Sequence, residues 1–263
     1  MASVSALKPR DGTPIATGNA LELSGVSRRF GALRALDDVS FAVAAGERRA
    51  VIGANGAGKT TLFNVITGDF PATAGSVRFF GDDVTTMPPY ERIRAGLRRT
   101  YQSSLLFRDL TVRDNLFLAV RGVARGRMSL LRPRAHSSTR RAADELLQRV
   151  GLTAVAHEPV AALSHGQQRQ LEIGMALAGA PRPILFDEPA AGLSPSERRE
   201  LVALLTALPP HMGFVLIEHD LEIALNVVDR VTVLHNGRLL KEGTPEEIQN
   251  DAEVQAIYMG GRH

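Results

Sequence analysis

Residues 51–61 read Val-Ile-Gly-Ala-Asn-Gly-Ala-Gly-Lys-Thr-Thr, and this stretch decides the fold of the 263-residue chain. A short apolar strand leads into a glycine-rich turn, and a helix is expected to begin near Lys59. The spacing of Gly53, Gly58, Lys59 and Thr60 fits the phosphate-binding loop pattern G-x-x-x-x-G-K-[ST]. The alternative is an ordinary strand–turn–helix connection that contains glycines by chance. The match at every fixed position favours the phosphate-binding loop over this alternative.

Each residue type in this loop has a physical role. Glycines let the backbone wrap closely around an anion, and the new helix presents its positive end to phosphate groups. Lys59 is expected to reach the β- and γ-phosphates, and the Thr60 hydroxyl to hold Mg²⁺. The sequence therefore predicts binding of a nucleoside triphosphate with Mg²⁺, and the predicted loop contacts are Gly53, Asn55, Gly56, Ala57, Gly58, Lys59, Thr60 and Thr61.

Composition narrows the class of protein. Hydrophobic residues make up 44% of the chain and charged residues 22%, which is typical of a globular protein. No apolar run approaches the roughly 20 residues that cross a bilayer, and residues 1–19 lack the apolar core of a signal peptide. The chain has no cysteine, which excludes disulfides and fits a cytosolic location. The net charge of +3 gives little reason to expect nucleic-acid binding.

Strands alternating with helices predict an α/β fold, a P-loop NTPase core with a parallel sheet between helices. A terminal hairpin around an Asn-Gly turn predicts a mixed sheet edge. The expected organisation is a flexible tail over 1–19, a core over 20–102, a helical subdomain over 103–165 and a second core segment over 166–263.

Several local expectations concern single segments. A turn is expected at Asp37-Asp38 between two strands, and a helix over residues 138–150 capped by Ser or Thr. Phe30 is expected in a loop, where it either stacks on a base or belongs to the core. Residues 121–141 hold seven arginines and no acid, which indicates either a surface for anionic partners or a solvated arm.

A second motif follows the apolar run at residues 183–186. Asp187 and Glu188 end this predicted strand in a Walker B arrangement, at the sheet edge where the phosphate loop lies. Asp187 is expected to coordinate Mg²⁺, and Glu188 to polarise the attacking water as a general base. An exposed acidic turn is the alternative, and the complete phosphate loop upstream disfavours it.

A third motif separates the classes of triphosphatase. GTPases recognise guanine with an Asn-Lys-x-Asp motif, and none of the three lysines of this chain lies in one. Residues 163–169 instead read Leu-Ser-His-Gly-Gln-Gln-Arg at the start of a helix that Ser164 can cap. This motif, in order with the other two, resembles the Leu-Ser-Gly-Gly-Gln sequence of the ATP-binding subunits of ABC transporters, with His165 at the third position. The resemblance extends from Leu21 to the end of the chain.

The resemblance implies further roles. Phe30 matches the aromatic that stacks on adenine, Gln102 the glutamine that contacts Mg²⁺ and the lytic water, and His219 the switch histidine at the γ-phosphate. Ser164 and Gly166, with Gln167 beside them, match the residues that contact ATP bound by an opposite subunit. Two subunits are therefore expected to enclose two ATP molecules, and hydrolysis to reopen the pair.

One departure and one finer resemblance concern the residues after Glu188. The family often has Ser-Ala-Leu-Asp where this chain reads Ala191-Gly192-Leu193-Ser194, so a coupling aspartate is absent. The same residues, with Arg99-Thr100-Tyr101-Gln102 and the ending Ile257-Tyr258-Met259-Gly260, resemble the ATPases of branched-chain amino-acid importers. Urea importers and lipopolysaccharide exporters share many of these residues. The arginine-rich insert resembles the longer of the two ATPases of the branched-chain amino-acid system.

The resemblance also implies partners. The expected partners are membrane permease subunits, a second ATPase subunit of the same or a sibling chain, and indirectly a substrate-binding protein. The expected location is the cytoplasmic face of the membrane. A soluble ABC protein acting on nucleic acid or ribosomes is the alternative from another class, and the near-neutral charge and single nucleotide domain disfavour it.

Overall fold

The computed structural model describes residues 18–100, 106–123, 133–179 and 183–259. Within these ranges the chain forms two compact units. The core unit comprises Ile15–Arg99, Arg182–Ala190 and Leu208–His263, and the helical unit comprises Thr100–Pro181 and Ala191–Ala207. Nearly all of the predicted tail, Gln102, and the middle of the arginine-rich segment lie outside the described residues.

The described residues form ten β-strands and nine α-helices. The strands are β1 (Asn19–Phe30), β2 (Leu33–Ala44), β3 (Arg48–Ile52), β4 (Ala74–Phe79), β5 (Asp82–Asp83), β6 (Arg98–Arg99), β7 (Ile184–Asp187), β8 (Phe214–Ile217), β9 (Arg230–His235) and β10 (Arg238–Gly243). The helices are α1 (Lys59–Thr67), α2 (Pro89–Ala95), α3 (Val112–Val123), α4 (Pro133–Arg149), α5 (His165–Ala176), α6 (Pro195–Thr206), α7 (Leu221–Asn226), α8 (Pro245–Gln249) and α9 (Ala252–Met259). None of the helices in the described ranges is both long and apolar enough to cross a bilayer.

The sheet that carries the nucleotide motifs lies in the core unit. Its strand order is β10-β9-β3-β8-β7-β6, in which β9 to β6 are parallel and β10 pairs antiparallel with β9. Every residue of β7 and β8 is buried, as expected for strands covered on both faces. The predicted parallel sheet with a mixed edge is therefore present. Val51 of β3 and Asp187 of β7 both pair with Ile217 of β8, which aligns the carboxyl ends of three strands.

A second, antiparallel sheet of order β2-β1-β4-β5 belongs to the same unit and was not predicted. The expected turn at Asp37-Asp38 is wrong, because both residues lie inside β2. Asp38 adopts a φ of 56°, which an aspartate tolerates, and the local register shift lets a long strand continue through the irregularity. The expected loop position of Phe30 is also wrong, since this residue ends β1 just before the turn to β2.

The helical unit groups α3, α4 and α5 with α6, so the helix that follows residue 165 belongs here rather than to the second core segment. The physical reason is close packing at Gly174 of α5. A Cβ built there would lie 3.0 Å from the Leu116 side chain of α3 and 3.2 Å from that of Val150 after α4. Helix α4 begins at Pro133, earlier than the predicted residue 138, and ends before Gly151, whose φ is 73°.

Arg92 joins three segments of the core unit and supports a stability prediction. Its buried guanidinium donates to the carbonyl oxygens of Val65 and Ile66 at 2.8 and 2.7 Å, in the last turn of α1. It also donates to the carbonyls of Thr85 and Met87. Burial lowers the pKa of this guanidinium, and the carbonyl acceptors satisfy the buried N–H groups that would otherwise lack partners.

The Arg92→Ala variant is expected to lose about 3 kcal/mol or more of unfolding free energy, because several buried carbonyls lose their donor together. Urea denaturation of the purified protein measures this loss. Arg94→Ala is the matched control on the same helix, since Arg94 is exposed and its guanidinium lies over the Tyr90 ring at 5.4 Å. The control should change stability by about 0.5 kcal/mol or less. Equal stability of the two variants would contradict the interpretation.

Candidate nucleotide site

The loop between β3 and α1 is built for close backbone approach. A Cβ at Gly53 would lie 2.4 Å from the Leu234 carbonyl oxygen, and one at Gly58 would lie 2.7 Å from that of Ala35. Gly58 also adopts a φ of 103° as the residue before α1, which favours glycine there. Gly58 has no side chain that could cap α1. The positive N-terminal end of the helix therefore lies next to the loop without a side-chain cap.

Lys59 begins α1 as predicted, and its ammonium folds back over the loop. Nζ donates to the carbonyl oxygens of Gly53 at 2.7 Å and Ala54 at 3.1 Å. Burial lowers the pKa of this ammonium, while the charges of Glu188 and Asp187 act in the opposite direction. The loop therefore holds a partly desolvated cation at the place where phosphate groups would enter.

The remaining loop residues differ in exposure. Asn55 and Gly56 are exposed at the tip, whereas Ala57 is buried and accepts a hydrogen bond from the Gly237 N–H at 3.0 Å. Thr60 is exposed and Thr61 is half-buried, both in the first turn of α1. Thr60, the residue predicted to hold Mg²⁺, is therefore accessible at the surface beside the loop.

Asp187 is the last residue of β7, and Glu188 follows it at the same sheet edge. Asp187 is buried, and its Oδ2 accepts from Arg99 Nη2 at 2.6 Å. The same guanidinium binds Asn64 Oδ1 of α1 at 2.6 Å, so Arg99 ties this carboxylate to the helix after the loop. Glu188 turns the chain with a φ of 47°, and its N–H donates to the Ile217 carbonyl at 3.0 Å. The predicted strand-end position of both acids is present.

His219 follows β8, the strand next to β7. Its Nδ1 lies 3.9 Å from Glu188 Oε2 and 3.9 Å from Glu218 Oε2. The His219 side chain is 53% exposed and that of Glu188 is 23% exposed, whereas Glu218 is fully buried. The structure thus brings the predicted base and the predicted switch histidine together, with both side chains accessible to a ligand.

Glu218 is a residue of this site that sequence reasoning missed. Its Oε1 accepts from the Ala190 N–H at 2.8 Å, which holds the segment that follows Glu188. Burial raises the pKa of the Glu218 carboxyl, chiefly through desolvation. The only signal in the sequence is a polar residue beside His219, and it does not reveal that the carboxyl is buried.

The Glu218→Gln variant is expected to gain stability relative to the wild type as the pH rises. The folded state retains the Glu218 proton above pH 4.5, where the unfolded chain releases it, so ionisation progressively destabilises the wild type. Glutamine keeps an oxygen for the Ala190 N–H and cannot ionise. Urea denaturation between about pH 4 and 8 measures the difference, with the exposed Glu253→Gln as the control. A difference that does not change with pH would contradict the prediction.

Phe30 presents part of its ring to solvent at the end of β1. Phe30 is 39% exposed, its ring packs edge-on against that of Phe70 with the centroids 5.3 Å apart, and the Arg28 guanidinium lies 4.5 Å from its centroid. It is therefore neither a fully buried core residue nor a free one. A base could stack on this ring in competition with the Arg28 guanidinium.

The Ser164 motif lies in the helical unit. Ser164 caps α5 as predicted, accepting from the Gln167 N–H at 3.2 Å, while Gln167 Oε1 accepts from the Ser164 N–H at 3.0 Å. The buried Gly166 donates its N–H to Glu197 Oε1 at 2.9 Å. Glu197 and Arg99 are further residues that the motifs did not reveal.

The donor set of the core unit suits a nucleoside triphosphate and Mg²⁺. A glycine loop whose Cβ positions are sterically blocked, a lysine and a helix N-terminus form a cradle for phosphate oxygens. Thr60 and Asp187 offer the oxygen ligands that Mg²⁺ prefers. Within the described ranges, no group of three or more His, Cys, Asp or Glu side chains is arranged to hold a metal ion.

Comparison with known proteins identifies a family to which the chain is similar. A family model described as ABC transporter matches residues 36–191, and one described as Branched-chain amino acid ATP-binding cassette transporter matches residues 240–263. The high-affinity branched-chain amino acid transport ATP-binding protein BraF of Pseudomonas aeruginosa is 36% identical over 248 residues, covering 91% of this chain and 97% of that protein.

Solved structures match over a similar length. The ATP-binding cassette MJ1267 of an ABC transporter, in its ADP conformation, has a TM-score of 0.81 at 32% identity and covers 93% of this chain and 100% of its own. A dimeric post-hydrolysis state of the cassette MJ0796, bound to ADP and Pi, has a TM-score of 0.73 at 26% identity and covers 86% and 98%. The likeness therefore extends along nearly the whole chain.

Proposed function

Because this chain belongs to the ATP-binding subunits of ABC transporters and is an ATPase of that family, as its motifs predicted, we propose that it drives an importer of branched-chain or related amino acids. One observation carries the proposal at the level of chemistry. The loop over 53–59, Glu188 and His219 follow three neighbouring strands of one sheet and meet at its carboxyl edge. The C-terminal family match and the name of the P. aeruginosa relative support the choice of amino acids over the urea, lipopolysaccharide and nucleic-acid alternatives.

The proposed roles follow from the chemistry of each side chain. Lys59 and the loop N–H groups bind the β- and γ-phosphates, and Phe30 stacks on adenine. Glu188 takes a proton from the attacking water, and His219 contacts the γ-phosphate beside it. Thr60, Asp187 and Gln102 would hold Mg²⁺, which when bound offsets the negative charge of the phosphates.

The helical unit would complete the site of an opposite subunit. Ser164, Gly166 and Gln167 stand at the start of α5, where a helix N-terminus favours an anion such as the γ-phosphate. The dimeric state of MJ0796 supports this arrangement by analogy. In the proposed dimer, two ATP molecules are enclosed between two subunits, which are either two copies of this chain or this chain and a sibling chain.

The partners proposed from this activity are membrane proteins. The chain would sit at the cytoplasmic face of the membrane, bound to permease subunits that a substrate-binding protein serves from the other side. The relatives are named as ATP-binding proteins of transport systems, which supports permease partners. In such a system the substrate crosses the membrane through a separate permease.

Affinity purification of the tagged chain from its native membranes in mild detergent tests the proposal. We expect two permeases and a sibling ATPase to copurify, and leucine with the cognate binding protein to raise ATP turnover. Recovery of a lipopolysaccharide-export or urea permease would contradict the proposed substrate but support the proposed role as a transport ATPase. Recovery of ribosomes or DNA without membrane proteins would overturn the transport function.

A further inference from the structure

The Glu197 carboxylate lies between the start of α5 and the start of α6. Its Oε1 accepts from the Gly166 N–H at 2.9 Å and from the Ser164 hydroxyl at 3.4 Å. Its Oε2 accepts from the Ser194 N–H at 2.9 Å and from the Ser194 hydroxyl at 2.8 Å. A single side chain thus uses one oxygen on each of two motifs of the helical unit.

The absence of a side chain at Gly166 leaves room for the Glu197 carboxylate. A Cβ at Gly166 would lie 2.4 Å from Glu197 Oε1, so any larger residue there would displace the carboxylate. The loop of Gly192 also approaches this motif, since a Cβ at Gly192 would lie 3.2 Å from the His165 ring. Hydrogen bonds from Ser194 and from the Gly166 N–H hold the pKa of Glu197 below its ordinary value, which keeps the group ionised at neutral pH.

A helix cap alone explains only half of this arrangement. Glu247 occupies the same third position of α8, where its carboxylate accepts from the Thr244 N–H at 2.7 Å in an equivalent capping box. No hydrogen bond from a second helix to Glu247 is seen within the described residues, whereas Glu197 reaches across to α5. The Gly166 contact is therefore an addition to ordinary capping.

We propose that Glu197 is a positioning residue that joins the Ser164–Gly166 motif to Ser194, and that ATP-driven dimer closure displaces its carboxylate from the Gly166 N–H. This inference rests on the proposed function, because the donors it concerns are those proposed for the γ-phosphate of the opposite subunit. One N–H cannot serve both anions at full strength, and the two negative charges repel each other. Ser194 stands where the family often has its coupling aspartate, so Glu197 supplies a carboxylate to that loop.

The Glu197→Gln variant separates capping from the link to α5. Glutamine can keep its oxygen on the Ser194 N–H, as capping boxes accept either residue. Its amide group then faces the Gly166 N–H, donor against donor, so the contact with α5 is lost. Glu247→Gln is the matched control, because it makes the same change in a capping box without this second contact.

The test measures ATP-driven association by sedimentation, with every protein carrying Glu188→Gln to slow hydrolysis and with a sibling ATPase present if the native dimer contains one. We expect Glu197→Gln to lower the ATP concentration at half-maximal association by about fivefold, since a competing anion is removed. Glu247→Gln should leave it unchanged. An unchanged or higher midpoint for Glu197→Gln would overturn the displacement.

A second measurement reports on the link without a dimer. In the nucleotide-free protein, hydrogen exchange at the Gly166 amide should be at least about tenfold faster in Glu197→Gln than in wild type or Glu247→Gln. Equal protection would overturn the link itself. Absence of any ATP-driven association in the Glu188→Gln background would contradict the proposed dimer and the proposed displacement of Glu197. The hydrogen-exchange result would still test the contact between Glu197 and Gly166.

Discussion

The Glu188→Gln variant is expected to bind ATP with nearly wild-type affinity and to hydrolyse it at least about a hundredfold more slowly. Glu188 stands at the exposed edge of the sheet, with its carboxylate 3.9 Å from the His219 ring. Glutamine has almost the same shape, so phosphate binding through the loop and Lys59 should persist. It cannot take a proton from water, so the chemical step should slow.

Phosphate release at saturating ATP and equilibrium nucleotide binding measure the two effects separately. Glu253→Gln is the control, because it removes one exposed carboxylate from α9 with no contact to the nucleotide site proposed here. Wild-type turnover in Glu188→Gln would remove Glu188 from the role of base. Loss of ATP binding in the same variant would instead assign it to the nucleotide cradle.

The Lys59→Ala variant is expected to raise the Kd for ATP by about a hundredfold, because the phosphates lose charge-assisted hydrogen bonds from the ammonium. The Lys59 Nζ already lies 2.7 Å from the Gly53 carbonyl, at the mouth of the loop. Binding of a partly buried cation to phosphate is stronger than the same contact in water, since burial weakens screening.

Isothermal titration with ATP and Mg²⁺ measures this change. Lys241→Ala is the matched control, since that lysine lies in β10 and pairs with Asp251. Unchanged ATP affinity in Lys59→Ala would show that the glycine loop is not the phosphate cradle. Unfolding curves of both variants verify that the proteins are folded, so weakened binding can be assigned to the lost ammonium.

The local motifs were predictable because each depends on residues close together in sequence. The loop from Gly53 to Thr60, the strand end at Asp187 and the cap at Ser164 all appear in the structure where their patterns placed them. Periodicity was less reliable for the antiparallel sheet. An Asp-Asp pair resembles a turn, yet pairing with β1 resumes on both sides of it, so β2 continues past Asp38 through a local irregularity.

The sequence by itself determined the phosphate loop through a short pattern, the family through the order of three motifs, and the parallel core through the alternation of strands and helices. Only the tertiary structure decided which groups the Arg99, Glu218 and Glu197 side chains contact. Arg99 meets Asp187, Glu218 meets Ala190, and Glu197 meets Gly166 across separations of 88, 28 and 31 residues. The Ser194-x-x-Glu197 cap is visible in the sequence, but the second bond of that carboxylate is not. Its Oε1 reaches Gly166 only because the tertiary fold brings the starts of α5 and α6 together, and no local pattern specifies that approach.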